Sequence, residues 1–397
     1  MDAEFSHLIA LSPLGLLYGS TGRFLSPDNL VGRSGTHFPP SAATLSGIFA
    51  AELASAHKDQ LRDLCVAGPF WSWESEPQDF CVPTPLNCLA KFLSQLDNDQ
   101  IPEARLVDYL SWDKDGVDKI HWLKQDKKPP AEKYSNGTWV KISDWSAISR
   151  GDLDQITAYG DPWQFLPHLH PSLEKSQRKV DVSLERGSLF LENGVQLHPD
   201  VCLTYLANHD LPDGWYRFGG EGHMVELTCH KLSESNQALL NKTKLNRSFA
   251  IVTPAIWGSN RLSARTPREL KKGDANRHRL EPVDSDLGNQ WELDALLTQK
   301  AVPTRYRLGD YTPSQKTTNG ATASSTPQPK GRRKEYPKRL SRGRYAVPAG
   351  SVYVLSQSFD DAYDNWCKWP EQWFPKEGPS LKRWGCGLAL PLESAVA

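Results

Sequence analysis

The densest grouping of residues that could bind an anion is Arg217-Phe218-Gly219-Gly220-Glu221-Gly222-His223. Glycine has no Cβ, so its backbone amide can approach a ligand closely, and successive amides can cradle a phosphate. Arg217 and His223 would add charge and hydrogen-bond donors beside such a loop. The same spacing is typical of a tight β-turn or bulge, so the motif predicts either a phosphate site or a simple turn.

Two further glycine turns lie near the C-terminal end of the sequence. Gly350 and Ser351 fall within Val347-Pro-Ala-Gly-Ser-Val-Tyr353, and Gly385 and Gly387 fall within Trp384-Gly-Cys-Gly-Leu388. Each turn could bring the backbone close to a ligand. Each could also be the small-residue bend with which a strand begins, and spacing alone does not separate the two hypotheses.

A short basic segment contrasts with the rest of the chain. The formal net charge is −1, but Lys330 to Arg344 holds eight basic residues and one acid, a local charge of +7 that leaves −8 elsewhere. This asymmetry predicts a localised contact with a polyanion. A solvated segment without contacts is the alternative.

Several classes of function are not supported by the sequence. It contains no Gly-x4-Gly-Lys-Ser/Thr loop, no Gly-x-Gly-x-x-Gly and no His-Glu-x-x-His, so we expect no cofactor. The seven cysteines include no Cys-x-x-Cys pair, which predicts reduced thiols and no metal site. The acidic Met1-Asp-Ala-Glu-Phe5 start is unlike a signal peptide and no apolar run is membrane-length, so we expect a cytoplasmic protein.

The elements that must position these residues begin with a strand at about 5–11 and a polar loop around Gly19-Ser-Thr-Gly-Arg23. Ser41 is a plausible N-cap for a helix whose apolar residues recur at helical spacing, namely Leu45, Ile48, Phe49 and Leu53. Residues 60–175 show no clear period, and Lys114 to Lys141 is expected to form a long exposed insertion.

The remaining elements are mostly strands. Asn193-Gly194 between alternating apolar residues predicts a hairpin turn within 180–197. Further strands are predicted at 201–206, 215–218, 223–231, 248–254, 345–355 and 387–392, and helices at 233–244 and 286–299. Residues 312–343 are polar and basic and are expected to form a mobile loop. Strands interleaved with single helices predict an α+β fold with antiparallel sheets.

Taken together and in order, these segments resemble the RAMP superfamily of CRISPR ribonucleoprotein complexes. The resemblance begins with Gly22-Arg23-Phe24 and Phe38-Pro-Pro-Ser41-x-x-Thr44-Leu-Ser-Gly47. Gly187-Ser-Leu-Phe190, Gly219-Gly-Glu-Gly222, Val347 to Tyr353 and Gly385-x-Gly387 are similar to one branch. That branch is the type III-B (Cmr) subunit that holds the 5′ repeat-derived tag of the guide RNA.

The resemblance implies two ferredoxin-like (RRM-like) domains, at 1–175 and 176–397, with antiparallel sheets, glycine-rich loops and inserted hairpins. It also implies a non-catalytic crRNA-binding role, with the large polymerase/cyclase-like subunit and neighbouring backbone RAMP subunits as partners. The residues thereby expected to contact RNA are Gly19, Gly22, Arg23, His37, Ser41, Thr44, Arg217, Gly219, Gly220, Gly222, His223, Arg332, Arg333, Lys334, Lys338, Arg339, Arg342, Arg344, Gly350, Ser351, Gly385 and Gly387.

Two alternatives remain open from the sequence. Some RAMP relatives are metal-independent endoribonucleases that mature the guide RNA, and His37 or His223 could serve as the general base of such an enzyme. The chain could also be an unrelated α+β binding or structural protein whose glycine turns match by chance.

Overall fold

A computed structural model describes most of the chain. The described residues are 4–18, 38–53, 58–93, 100–117, 120–171, 179–180, 189–219, 222–258, 263–267, 269–272, 278–281, 291–306, 308 and 341–396. Within these ranges the structure is mostly antiparallel sheet with few helices, which agrees with the predicted α+β class.

The elements up to Lys124 are β1 (His7–Pro13), β2 (Leu17–Tyr18), α1 (Ala42–Leu53), α2 (Lys58–Asp63), β3 (Val66–Trp73), β4 (Cys81–Pro83), β5 (Cys88–Phe92), β6 (Glu103–Val117) and β7 (Ile120–Lys124). The middle elements are β8 (Trp139–Lys141), α3 (Trp145–Arg150), β9 (Thr157–Tyr159), β10 (Trp163–Pro171), β11 (Leu189–Leu197), β12 (Val201–Ala207), β13 (Gly214–Phe218), β14 (His223–Lys231) and α4 (Glu234–Asn241).

The C-terminal strands are β15 (Ser248–Ile251), β16 (Trp257–Gly258), β17 (Ser263–Ala264), β18 (Glu269–Lys272), β19 (His278–Glu281), β20 (Leu293–Leu297), β21 (Val302–Thr304), β22 (Arg344–Ala346), β23 (Val352–Leu355) and β24 (Ala389–Pro391). Short 3-10 turns lie at Ile142–Asp144, Trp366–Lys368, Glu371–Trp373, Leu381–Trp384 and Glu393–Ala395.

The largest sheet has the order β13-β14-β1-β12-β3-β4-β8-β9-β6-β5, with β7 paired to β6. In its first part, Ile9 of β1 lies opposite Tyr205 of β12 on one side and Cys229 of β14 on the other. Strands from both sides of residue 175 are therefore hydrogen-bonded in one sheet. The predicted domain boundary at 175 does not coincide with a boundary between sheets.

The first helix covers one face of this sheet, as its sequence predicts. Leu45, Ile48, Phe49 and Leu53 of α1 are buried against residues of the β1, β12, β13 and β14 strands, including Ile9. Burying four such side chains stabilises the packing by roughly 1.5–3 kcal/mol each before conformational entropy is counted.

The predicted hairpin turn at Asn193-Gly194 is wrong. Both residues lie inside β11, where Asn193 pairs with Pro167 and Gly194 with Leu166 of β10. Gly194 also pairs with Tyr18 of β2 on the other side. Pairing on both sides keeps this stretch extended, so tertiary contacts override the local turn preference.

Only part of the segment from Lys114 to Lys141 is exposed, although the whole of it is expected to form an exposed insertion. It includes the end of the β6–β7 hairpin, but Leu123, Trp139 and Val140 are buried. Trp139 and Val140 belong to β8, which pairs with β4 and β9 inside the large sheet. Alternation of lysine and apolar residues therefore reflects strands with one buried face.

A second sheet has the order β20-β23-β15-β24. The helix predicted at 286–299 is wrong over its described part, because Leu293–Leu297 is β20 and Leu296 pairs with Tyr353. The strand predicted at 345–355 is two strands, β22 and β23. Pro348 has no N–H for a ladder, and Gly350 adopts a φ of +83°.

Both sheets contain the same strand order. When β1, β3, β12 and β14 are numbered 1 to 4 along the chain, their order across the sheet is 4-1-3-2. The strands β15, β20, β23 and β24 repeat that order, and all these neighbours are antiparallel.

The two sheets share a continuous core. The Phe5 and Trp366 rings stack with centroids 5.7 Å apart, and Trp145 Nε1 donates to the Pro391 carbonyl at 2.9 Å. Asn241 closes the junction, since its Oδ1 accepts from Phe5 N at 3.0 Å and its Nδ2 donates to Phe5 O at 2.8 Å. None of the helices in the described ranges is both long and apolar enough to cross a membrane.

Candidate nucleic-acid interface

The start of α1 and the turn between β13 and β14 lie side by side. A Cβ built on Gly219 would be 3.7 Å from Thr44 Cγ2, and one built on Gly222 would be 3.8 Å from Arg217 Cδ. Thus the structure brings together six of the predicted residues from two distant parts of the sequence. We call this group the helix–turn site: Ser41, Thr44, Arg217, Gly219, Gly222 and His223.

The turn itself requires glycine. Gly219 and Gly222 have φ values of +74° and +70°, and Gly222 N–H donates to the Gly219 carbonyl at 3.2 Å. A side chain at either position would impose left-handed backbone strain. Among the described residues, the atoms nearest to a Cβ at these positions are the side-chain atoms Thr44 Cγ2 and Arg217 Cδ, so no described backbone closes the space beside the turn.

One buried tyrosine ties both halves of the site together. Tyr205 Oη donates to the Pro40 carbonyl at 2.7 Å, directly before α1, and its ring lies edge-on to Phe218 at 6.3 Å. Burial raises the pKa of Tyr205, which keeps its hydroxyl protonated as a donor. Phe38 also fixes the segment that leads into α1, because its ring packs against that of Trp163 with the centroids 5.0 Å apart.

The charges of the site favour an anion. The first turn of α1 carries no acidic residue, so the positive end of the helix dipole is not neutralised by its own side chains. Arg217 is exposed, and Ser41, Thr44 and His223 are half-buried. The helix start and the glycine turn suit a phosphate group, and the Arg217 guanidinium adds positive charge beside the turn from the opposite face of β13.

Other residues expected to contact RNA lie outside the described ranges. They are Gly19, Gly22, Arg23, His37, Gly220, Arg332, Arg333, Lys334, Lys338 and Arg339. In the sequence, residues 19–37 come directly before Phe38, and Gly220 comes between the two glycines of the turn.

The C-terminal glycine turns are packing positions, which corrects the expectation of RNA contact there. A Cβ on Gly350 would lie 2.8 Å from the Thr84 carbonyl oxygen, and Ser351 is fully buried with its Oγ donating to Pro348 O at 2.7 Å. A Cβ on Gly385 would collide with Ala67.

Gly387 is enclosed in the same way. Its Cβ would lie 3.2 Å from Ala255 Cβ and from the Trp257 ring. Gly350 and Gly385 therefore let the two sheets approach each other, whereas Gly387 packs within the C-terminal part of the chain. All three are buried and offer no open surface to a nucleic acid.

The described residues of the basic segment differ in burial. Arg344 is only 5% exposed and forms an ion pair with Glu377, so it is not a surface phosphate ligand as expected. Arg342 is exposed. Ser341, within the stretch expected to be mobile, is buried and accepts a hydrogen bond from Tyr306 N at 2.8 Å.

The thiols of this chain are free, and most of them are buried. All seven cysteines are free, and burial raises the pKa of Cys65, Cys88 and Cys386 to about 12. Among the residues that the structure describes, no group of three or more His, Cys, Asp or Glu side chains could hold a metal ion.

Sequence reasoning overlooked Trp215. It is 70% exposed on β13, two residues before Arg217. The predicted strand 215–218 already indicates this exposure, because alternate residues of a strand lie on the same face. Trp215 therefore lies on the same face as Arg217, while Phe218 is buried on the opposite face.

The family model of the CRISPR-associated protein Cas_Cmr3 matches residues 24–394 of this chain. None of the curated protein sequences compared with it is similar to this chain. A chain of the Type III-B Cmr-beta complex bound to cognate target RNA and AMPPnP is 12% identical, with a TM-score of 0.39 over 87% of this chain and 86% of that one. A chain of the Csm3–Csm4 subcomplex of the type III-A CRISPR–Cas interference complex is 10% identical, with a TM-score of 0.32 over 90% of this chain and 96% of that one.

Proposed function

Because this chain belongs to the Cas_Cmr3 family of CRISPR-associated proteins, we propose that it is a non-catalytic guide-RNA-binding subunit of a type III-B effector complex. In this role it anchors the 5′ repeat-derived tag of the crRNA. The observation that carries the proposal is the helix–turn site, where the start of α1 adjoins Gly219 of the turn and the Arg217 side chain lies beside Gly222.

The chemistry of the helix–turn site suits backbone recognition. Amides, a helix start and a guanidinium hold phosphates, and such contacts fix the register of a single strand without reading its sequence. Residues 19–37, which precede the α1 region in the sequence, include Arg23 and His37. We assign these two residues to the tag-binding surface as part of this proposal.

We also infer that the molecule consists of two ferredoxin-like halves. The repeated strand order described above is that of a ferredoxin-like sheet, and α1 connects the first and second of these strands as in that fold. The proposal places the large polymerase/cyclase-like subunit and the neighbouring backbone RAMP subunits as protein partners, in the cytoplasm.

The test of RNA binding compares two arginines. Purified full-length protein with Arg217→Ala should bind single-stranded guide RNA more weakly, and the log–log salt slope should fall by roughly 0.7 for each phosphate that the variant no longer neutralises. Arg150→Ala removes an exposed arginine at the end of α3 and serves as the control. Equal affinities and parallel slopes for both variants and the wild type would remove the helix–turn site from the proposal.

A second variant tests the segment that precedes α1. Arg23→Ala should weaken guide-RNA binding without lowering the unfolding midpoint, because an arginine that contacts phosphate contributes to binding rather than to the fold. Unchanged affinity at physiological salt would make Arg23 a structural residue only.

The absence of catalysis is tested directly. Wild-type protein incubated with repeat RNA in EDTA should leave the RNA intact. Cleavage that is abolished by His37→Ala or His223→Ala would replace the scaffold proposal with a metal-independent endoribonuclease.

A further inference from the structure

An exposed apolar surface adjoins the helix–turn site on the other face of its hairpin. Tyr216 and Phe218 of β13 point toward α1, so the alternate residues Trp215 and Arg217 face away from it. Trp215 is 70% exposed, which is unusual because tryptophan is normally well buried.

Neighbouring strands extend this surface. Met224 pairs with Arg217 across the β13–β14 ladder and is 41% exposed. Leu14 is 52% exposed, and its N–H donates to the Met224 carbonyl at 3.1 Å. We call Trp215, Met224 and Leu14 the Trp215 platform.

Charged residues lie next to this surface in a defined arrangement. Glu226 is exposed and sits directly opposite Trp215 in the ladder, so their Cβ atoms are about 4.5–5.5 Å apart. Arg217 follows Trp215 by two residues on the same face, at about 6.6–6.8 Å along the strand. On this face of the hairpin, Trp215 therefore has a carboxylate residue opposite it in the ladder and a guanidinium residue next to it along its own strand.

We propose that the Trp215 platform stacks one unpaired base of the RNA whose phosphates the helix–turn site holds. This inference rests on the proposed function and adds a base contact to it. Indole faces stack on nucleobases of any sequence, and Arg217 neutralises the adjacent phosphate.

Glu226 gives the platform a base preference. An ionised carboxylate only accepts hydrogen bonds, so it pairs with the exocyclic amino group of adenine or cytosine. Uracil carries one carbonyl oxygen, an acceptor, where cytosine carries its amino group, so this position of uracil cannot donate to the carboxylate. The platform therefore favours an amino-bearing base over uracil.

The experiment measures binding of full-length protein to labelled oligo(A), oligo(C) and oligo(U) RNA. Trp215→Ala should weaken oligo(A) and oligo(C) binding by roughly 5- to 100-fold, the effect of removing one stacked base. Trp215→Phe, which keeps a ring, should restore most of the affinity. Phe92→Ala removes a 46% exposed aromatic from β5, at the opposite end of the sheet order, and should change nothing.

Glu226→Gln tests the preference itself. The amide can donate as well as accept, so this variant should bind oligo(C) and oligo(U) with more similar affinities than the wild type does. An unchanged ratio would overturn the role of Glu226. Unfolding midpoints of all variants should match the wild type, since these side chains are exposed.

The outcomes separate the platform from the proposed function. If Arg217→Ala weakens RNA binding while Trp215→Ala does not, the platform inference is overturned and the function stands. If the wild type binds none of the RNAs, the proposed function itself fails. Unchanged RNA binding with impaired assembly of the complex would instead assign Trp215 to a protein interface at the edge strand β13.

Discussion

Replacing Gly385 by alanine should weaken the junction between the two sheets, whereas the same change at Gly137 should not. Both glycines have left-handed backbones, with φ values of +67° and +72°. A Cβ on Gly385 would collide with Ala67 and lie 2.9 Å from the Val66 carbonyl oxygen, while no atom of the described residues lies within 4 Å of a Cβ on Gly137. The pair therefore isolates close packing from backbone strain.

The expected magnitudes follow from these two effects. The left-handed conformation costs about 1–2 kcal/mol for alanine at either position. At Gly385 the new methyl group also presses on β3, a strand paired on both sides that cannot easily move, and overpacking adds about 1–3 kcal/mol. We expect Gly385→Ala to lower the free energy of unfolding by about 2–5 kcal/mol in total.

Urea unfolding followed by tryptophan fluorescence, together with RNA affinity measured on folded protein, provides the assay. Gly385→Ala should unfold at a lower urea concentration than Gly137→Ala and should keep its RNA affinity while folded. Equal decreases of stability in the two variants would refute the packing argument. A large decrease of RNA affinity with unchanged stability would return Gly385 to the RNA interface.

Three further predictions concern charged residues. Arg344→Met should lower the free energy of unfolding by about 3–5 kcal/mol because it leaves Glu377, whose side chain is only 10% exposed, without this ion pair, whereas Arg342→Met, at an exposed side chain, should lower it less. Partial burial, together with the Asp79 carboxylate, raises the pKa of Asp144 above its ordinary value of 3.8, so its contribution to stability falls as pH rises through that raised pKa. Asp144→Asn removes the titrating carboxyl group without removing a capping hydrogen bond. The unfolding midpoint of this variant, measured from pH 3 to 7, should therefore fall less with rising pH than that of the wild type. Neutralising the six basic residues from Arg332 to Arg342 should weaken binding of cognate and scrambled tags equally and reduce the salt slope by roughly 0.7 for each phosphate no longer neutralised, and unchanged slopes would assign the segment to another role.

The sequence predicted well those elements whose local pattern and tertiary environment agree. The β14 strand at 223–231 and the apolar face of α1 follow directly from alternation and helical spacing. The family match also confirms the resemblance inferred from the motifs. The failures at Asn193-Gly194 and Leu293–Leu297 share a cause, because in both places pairing with a distant strand decides the conformation. Such pairing leaves no local signal.

The helix–turn site could be predicted only as separate motifs. Nothing in the spacing of Thr44 and Gly219, 175 positions apart along the printed sequence, indicates that they meet. Their proximity follows from β14 and β1 being neighbours, which places the β13–β14 turn over the start of α1. The position of Trp215, two residues before Arg217 on the same strand face, indicates exposure. Its residue type indicates the opposite, because tryptophan is generally well buried.

The glycine motifs illustrate why residue type alone could not separate binding from packing. Gly219, Gly222, Gly350, Gly385 and Gly387 all have positive φ values, so each is required by its own backbone. They differ in what a side chain would meet: ordinary contact at 3.7–3.8 Å with side-chain atoms at the first two, and backbone or buried side chains at 3.2 Å or less at the others. Gly350, Gly385 and Gly387 are also buried, so a phosphate could reach them only by displacing packed residues. Among these five glycines, only those of the β13–β14 turn therefore remain available to a ligand, which is why RNA binding is assigned to that end of the large sheet.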